Sequence, residues 1–195
     1  NAMMYFISDT HFYHENIINL NPEVRFKGFE IVILTNLLKV LKPEDTLYHL
    51  GDFTWHFNDK NEYLRIWKAL PGRKILVMGN HDKDKESLKE YFDEIYDFYK
   101  IIEHKGKRIL LSHYPAKDPI TERYPDRQEM VREIYFKENC DLLIHGHVHW
   151  NREGIKCACK DYRIECINAN VEWNDYKPIS EREIDKLISY EKAKN

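Results

Sequence analysis

Five short apolar runs in this 195-residue chain each end in side chains that can hold a metal, and that pattern constrains the fold more than any other feature. Tyr5-Phe6-Ile7-Ser8 runs into Asp9-Thr10-His11, and Thr46 to Leu50 runs into Gly51-Asp52. Lys74-Ile75-Leu76-Val77-Met78 runs into Gly79-Asn80-His81-Asp82. Ile109-Leu110-Leu111-Ser112 ends in His113, and Asp141 to Ile144 ends in His145-Gly146-His147-Val148-His149. Apolar runs of this length read as strands. In sheet proteins, ligands gather where the carboxyl ends of strands and their loops converge, so the five runs are expected to share one edge. Gly51, Gly79 and Gly146 each stand directly before a candidate ligand, where glycine permits a sharp turn that aims the next side chain into a shared site. In extended backbone, residues i and i+2 point the same way. Asp9 and His11 are therefore expected to reach one ion together, and His147 and His149 likewise.

The remaining pattern alternates strands with helices, which predicts a layered α/β or α+β fold. Strands are expected near 4–8, 46–50, 74–78, 95–103, 108–112 and 141–145. A late hairpin is expected at 154–159 and 163–168, turning at Lys160-Asp161-Tyr162. Helices are expected near 29–41, 59–70, 84–92, 127–138 and 181–192, the last opened by a Ser180-x-x-Glu183 capping box. The length suits a single domain over residues 1–195, one that buries roughly 70% of its unfolded surface. Asn1 and Ala2, ahead of a double methionine, read as a scar of tag removal. The first apolar run is too short for a signal peptide or a membrane span, so the expected location is the cytoplasm. A net charge of -3 weighs against a general nucleic-acid binder, though not against one phosphate ester in a locally positive site.

The four cysteines are Cys140, Cys157, Cys159 and Cys166. Cys157-x-Cys159 with Cys166 invites a zinc reading, but the usual Cys-x-x-Cys pairs are absent. The expectation is small residues on the hairpin in a reducing compartment.

Asp9, His11, Asp52, Asn80, His113, His147 and His149 offer oxygen and nitrogen donors and no thiolate. They are too many for one tetrahedral zinc and about right for two divalent ions of higher coordination. Manganese comes first, with iron, zinc, cobalt or nickel as the other candidates. Asp52 can bridge, since a carboxylate has two oxygens. Two divalent ions outweigh the charges of Asp9 and Asp52, so the site would attract hydroxide and an anionic substrate. Paired ions about 3.5–4 Å apart acidify bound water and clamp a transferring phosphoryl group. His49, His56, His104 and His145 are read as satisfied core or surface residues.

Taken together, the five motifs resemble the calcineurin-like metallophosphoesterase superfamily, and within it the small predicted phosphoesterases of bacteria and phages. The narrower likeness rests on His11-Phe12-x-His14-x-Asn16-Ile17-Ile18 and on Asn170-Val171-x-Trp173 through Tyr176-x-Pro178-Ile179-Ser180. The resemblance implies a four-layer α-β-β-α sandwich with its site at one edge. It implies one ion on Asp9, His11 and His149, another on Asn80, His113 and His147, and Asp52 between them. His81 resembles the family's non-ligand catalytic histidine, with Asp82 to orient it or raise its pKa. Asp82 also reads as a helix N-cap. His14, Asn16 and Arg25 could touch phosphate or base but fit ordinary loop polarity. Trp55, Tyr114 and Trp150 could stack on a base or simply pack the rim.

The expected activity is a phosphodiesterase or phosphatase acting on a small or nucleotide-derived ester, with no membrane and no protein partner. The alternatives weighed are a nuclease on single-stranded ends, which would need a basic groove, a protein phosphatase, and a non-catalytic scaffold that has kept the fold.

Overall fold

The computed structural model describes the backbone of residues 1–194 and the side chains of residues 1–188. Its strands form two sheets. In the first, β1 (Met4–Ile7), β2 (Thr46–His49), β3 (Arg73–Val77) and β4 (Glu94–Tyr96) run parallel, and β9 (Ile179–Ser180) adds antiparallel to β1, in the order β4-β3-β2-β1-β9. In the second, β5 (Tyr99–His104) pairs antiparallel with β6 (Lys107–Ser112), and β7 (Leu142–His145) and β8 (Cys166–Asn168) follow in parallel, in the order β5-β6-β7-β8. The helices are α1 (Asn16–Leu20), α2 (Phe29–Val40), α3 (Tyr63–Ala69), α4 (Lys85–Leu88), α5 (Pro125–Lys137) and α6 (Glu181–Lys194).

Alternation along the strands divides the core into three parts. Phe6, Tyr48, Ile75, Ile109, Leu111, Leu142 and Ile144 pack between the sheets, where α6 adds Ile184. Their neighbours Ile7, Leu47 and Leu76 face the other way and pack against Phe29, Ile33, Leu37, Leu64 and Trp67 of α2 and α3. Leu110 and Leu143 face outward from the second sheet onto Val131 and Tyr135 of α5. Three apolar interfaces require four layers, so the molecule is the α-β-β-α sandwich. α2 is apolar nearly all round, yet it buries one face and leaves Ile31, Val32 and Leu38 exposed.

Several elements differ from expectation. The single strand expected over 95–103 is two, β4 in one sheet and β5 in the other, broken at Asp97 and Phe98. The late hairpin does not form. Cys159–Tyr162 makes a turn of 3-10 helix, and β8 joins β7 in parallel. Cys159 and Ile164 are buried in the outer core, and the Asn168 amide donates to the carbonyls of Val148 and Lys156, so this stretch folds against β7 instead of on itself. α1 escapes periodicity because it has only five residues. α3 starts at Tyr63, after a turn whose Asp59 carboxylate accepts from the Leu64 and Arg65 peptides.

Candidate metal centre

The carboxyl ends of β1, β2 and β3 in one sheet meet those of β6 and β7 in the other. Asp9 N–H donates to the Gly51 carbonyl (2.9 Å), His11 N–H to that of Asp52 (3.0 Å), and Gly146 N–H to that of His113 (3.0 Å). The backbone here is not extended. Asp9 (φ 59°), His11 (φ 49°), Asp52 (φ 59°) and His147 (φ 71°) all lie in the left-handed region. Their side chains converge through these turns, not through strand alternation. Such conformations are uncommon outside glycine and cost of order 1 kcal/mol or more each, offset here by the surrounding hydrogen bonds.

The glycines serve two different needs. Gly51 has φ +104°, and there the conformational freedom of glycine is required. Gly79 and Gly146 need none, but a Cβ would not fit at either. On Gly79 it would lie 2.6 Å from Asp52 Oδ1 and 2.8 Å from His113 Cγ, and on Gly146 it would overlap Ser8 Oγ and Asp9 Oδ2. These two glycines make room for Asp9, Asp52 and His113.

In Asp9, His11, Asp52, His113 and His149, one polar atom is spent on the surrounding protein and another faces its neighbours in the cluster. His113 Nδ1 donates to the Leu50 carbonyl (2.7 Å), and His149 Nδ1 to Glu172 Oε2 (2.8 Å). His11 Nδ1 shares a proton with His14 Nδ1 (3.0 Å). Asp9 Oδ2 accepts from Ser8 Oγ (2.6 Å) and His147 N–H (3.0 Å), and Asp52 Oδ1 accepts from His81 N–H (2.9 Å). Asp9 Oδ1 and His11 Nε2 remain, both buried and without a hydrogen-bond partner. They face each other at 3.6 Å, with His11 Nε2 also 3.6 Å from Asp52 Oδ2. His113 Nε2 lies 3.4 Å from Asp52 Oδ2, and His149 Nε2 3.8 Å from Asp9 Oδ1. These separations are long for hydrogen bonds. Two donors each about 2.1 Å from a shared ion stand roughly 3–3.5 Å apart, so this donor set fits divalent cations.

Asn80 Oδ1 lies 3.1 Å from His113 Nε2. His147 stands at the rim, its ring centroid 5.2 Å from that of His113, and its Nε2 is turned to Asp118 Oδ2 at 3.5 Å. Asp118 is a site neighbour that no motif announces.

The electrostatics carry the same signature. Burial alone would depress the His113 imidazolium, but Asp52 and Asp9 beside it push its pKa up to about 9. Burial opposes ionisation of Asp9 and Asp52, yet His113 and His11 hold both below the usual carboxylate range. The His113 imidazolium balances the carboxylates where a cation would.

His81 donates only its peptide N–H to the centre, and its ring stands 5.7 Å from His11 and 5.6 Å from Trp55, facing the cleft. Asp82 does not touch the His81 ring. Its carboxylate accepts from the peptides of Asp52 (2.7 Å), Phe53 (3.0 Å) and Gly79 (2.8 Å), locking the loops after β2 and β3 together. The helix N-cap expected of Asp82 falls on Asp84, which accepts from Ser87 N–H. Burial and the neighbouring Asp52 raise the Asp82 pKa to about 6.

Arg25 is neither loop polarity nor a phosphate contact. It is 1% exposed, donates to Glu172 Oε2 (2.5 Å), and donates to the carbonyls of Asp9 (2.6 Å) and Thr10 (3.3 Å). Glu172, unread in the sequence, also accepts from Trp150 N–H and the Asn21 amide. His14 stacks on Trp55 with ring centroids 4.2 Å apart, and Asn16 is exposed. Tyr114 is 2% exposed and packs in the outer core, out of reach of a base. His49 is a satisfied core residue between Thr10 and the Gly51 peptide, His56 packs on Tyr13, and His104 pairs with Asp185 at 2.6 Å. His145 is different, since its buried Nε2 has no partner. The cleft over the centre holds about 210 Å³ and is lined by Asn80, His81, Asp118, Arg123, Tyr124 and Trp150 among others. Among the described residues no helix is long and apolar enough to cross a membrane.

The model of the calcineurin-like phosphoesterase family matches residues 4–151. Protein MJ1445 of Methanocaldococcus jannaschii is 30% identical over 188 residues, covering 95% of this chain and 90% of that protein. The gene 66 protein of Mycobacterium phage L5 is 25% identical over 165 residues, covering 74% of this chain and 76% of that protein. The crystal structure of AQ665 from Aquifex aeolicus is 99% identical with a TM-score of 0.94, covering 96% of this chain and all of that one.

Proposed function

This chain belongs to the calcineurin-like phosphoesterase family, and we propose that it hydrolyses a small phosphate ester at a pair of divalent ions. Asp9, His11 and His149 would hold one ion, Asn80, His113 and His147 the other, with Asp52 between them. The observation that carries this reading is the pair of buried, unpartnered donors, Asp9 Oδ1 and His11 Nε2, set face to face at 3.6 Å. Leaving two such groups unsatisfied costs several kcal/mol in all, about 1–3 kcal/mol each, and a shared cation removes that cost. When bound, the ions supply positive charge at the phosphoryl oxygens and acidify water at neutral pH.

The chain's own residues supply orientation and proton transfer. The Leu50 carbonyl and the Glu172 carboxylate each pin one imidazole nitrogen, which fixes the tautomers of His113 and His149 and presents Nε2 of each. Asp82 holds the Asp52 and Gly79 loops in register. The His81 ring, at the cleft mouth and free of the centre's hydrogen bonds, would steady the phosphate and protonate the departing oxygen.

Hydrolysis of p-nitrophenyl phosphate and bis-p-nitrophenyl phosphate tests the reading, first in EDTA and then with added manganese, nickel, cobalt or zinc. Cleavage lost in chelator and restored by metal supports it, and the preferred ester separates monoesterase from diesterase. Cleavage indifferent to chelator would overturn it.

A further inference from the structure

Behind the centre, on the outer face of the second sheet, lies a second set of metal donors with different chemistry. His145 ends β7 two residues after Leu143, so it shares the outward face of that strand. Cys166, opposite Leu143 in β8, belongs to the same outer layer, as do Cys157 and Cys159. One donor atom from each of His145, Cys157, Cys159 and Cys166 lies within 4.8 Å of every other.

We propose that these four residues bind one structural zinc ion, separate from the phosphoesterase centre. His145 is fully buried, and its Nδ1 donates to the Gly146 carbonyl at 2.8 Å. That bond fixes the tautomer and leaves Nε2 with a lone pair, and Nε2 has no partner in the protein. Metal-bound histidines are held in this way. Burial pushes the Cys159 thiol up, and the Ala116 peptide N–H, which donates to its Sγ at 3.4 Å, opposes that shift. The structure joins the sulfurs of Cys157 and Cys166 at bonding distance, but their Cα atoms are 7.8 Å apart, beyond the usual 4.4–6.8 Å reach of a disulfide. Donors on one ion can come from further apart.

Three sulfurs and one imidazole form a soft tetrahedral set, and Cys3His is a closed zinc site with no position left for water. Binding would expel a proton from each of the three thiols, with no change of oxidation state. The ion would staple the segment between β7 and β8, where one turn of 3-10 helix is the only helix or strand that the described residues show. That segment begins with His147 and His149, so the staple would hold their loop in place.

The test loads the reduced chain with cobalt(II) in place of zinc. The phosphoesterase centre has no sulfur donor, so a near-ultraviolet thiolate-to-cobalt band reports this site alone. One equivalent carrying that band is expected, lost in Cys159→Ser and altered in His145→Ala. Should those variants fail to fold, the unaltered protein still decides the matter. As isolated, it should show four thiols in denaturant without reductant, and a zinc absorption-edge shell of three sulfurs and one nitrogen. Two titratable thiols, a cobalt spectrum without the sulfur band, or a zinc shell lacking sulfur would overturn the proposal.

Discussion

Glu172 accepts the Nδ1 proton of His149 at 2.8 Å while its other contacts tie it to Arg25, and Arg25 in turn holds the carbonyl of Asp9. One buried carboxylate thus couples the tail of the chain to the first and last of the candidate ligands. Burial would raise the Glu172 pKa, but His149 and Arg25 keep it well below the carboxylate range, so it stays charged.

Glu172→Gln removes that charge and frees the His149 tautomer. Loss of a partner behind a metal-bound histidine costs typically 10–100-fold in affinity, and the buried Arg25 left unpaired costs roughly 3–5 kcal/mol. Manganese titration and thermal melting should both show the loss. Unchanged affinity would remove Glu172 from the site.

Gly146→Ala should be worse for the centre than its size suggests. The added methyl would overlap Ser8 Oγ and Asp9 Oδ2, so Asp9 must shift away from its ligand position. Overpacking of this kind costs about 1–3 kcal/mol of stability. Metal binding should weaken in calorimetry even where circular dichroism shows a folded chain.

His113 gives a dependence on pH. In the metal-free chain its pKa of about 9 lies above the ordinary value near 6.5, so this imidazolium stabilises the fold fully below about pH 6.5 and loses that effect as pH rises through 9. Melting of the chelated protein should fall across that window. Metal must displace the same proton, so calorimetry at pH 7 in buffers of different ionisation enthalpy should show proton release on binding. No buffer dependence would contradict the assignment.

Asp52→Asn and His81→Ala should separate holding metal from turning over substrate. The first should weaken binding of both ions and abolish activity. The second should keep both ions and lower kcat by about 10²–10⁴-fold, the usual contribution of a general acid. Unchanged kcat in His81→Ala would refute its role.

Much of this arrangement is legible in the sequence because strand ends and ligand types are local features. The runs before Asp9, Asp52, Asn80, His113 and His147 are strands, and Asp9, Asp52 and His113 gather at one edge with Asn80 against His113, while His147 stands at the rim turned to Asp118. The manner of gathering is not legible. Left-handed turns at Asp9, His11 and Asp52 replace the expected alternation, and φ at a non-glycine residue leaves no mark in composition. Glu172 falls in the unread position of Asn170-Val171-x-Trp173, and Arg25 looks like a loop cation, because burial comes from contacts with distant parts of the chain. The expected hairpin fails for the same reason. Alternating residues around Lys160 fit a ribbon, and only tertiary packing of Cys159 and Ile164 assigns them to the outer core.

Ester cleavage at this centre is proposed to need two ions. Chelated protein should be titrated with manganese while bound ions and bis-p-nitrophenyl phosphate hydrolysis are followed together. The thiolate cluster prefers zinc, so manganese reports the oxygen and nitrogen centre. Activity that emerges only as the second manganese ion binds each chain is the predicted result. Full activity with one ion bound, or two ions bound with no cleavage of this ester or of p-nitrophenyl phosphate, would contradict it.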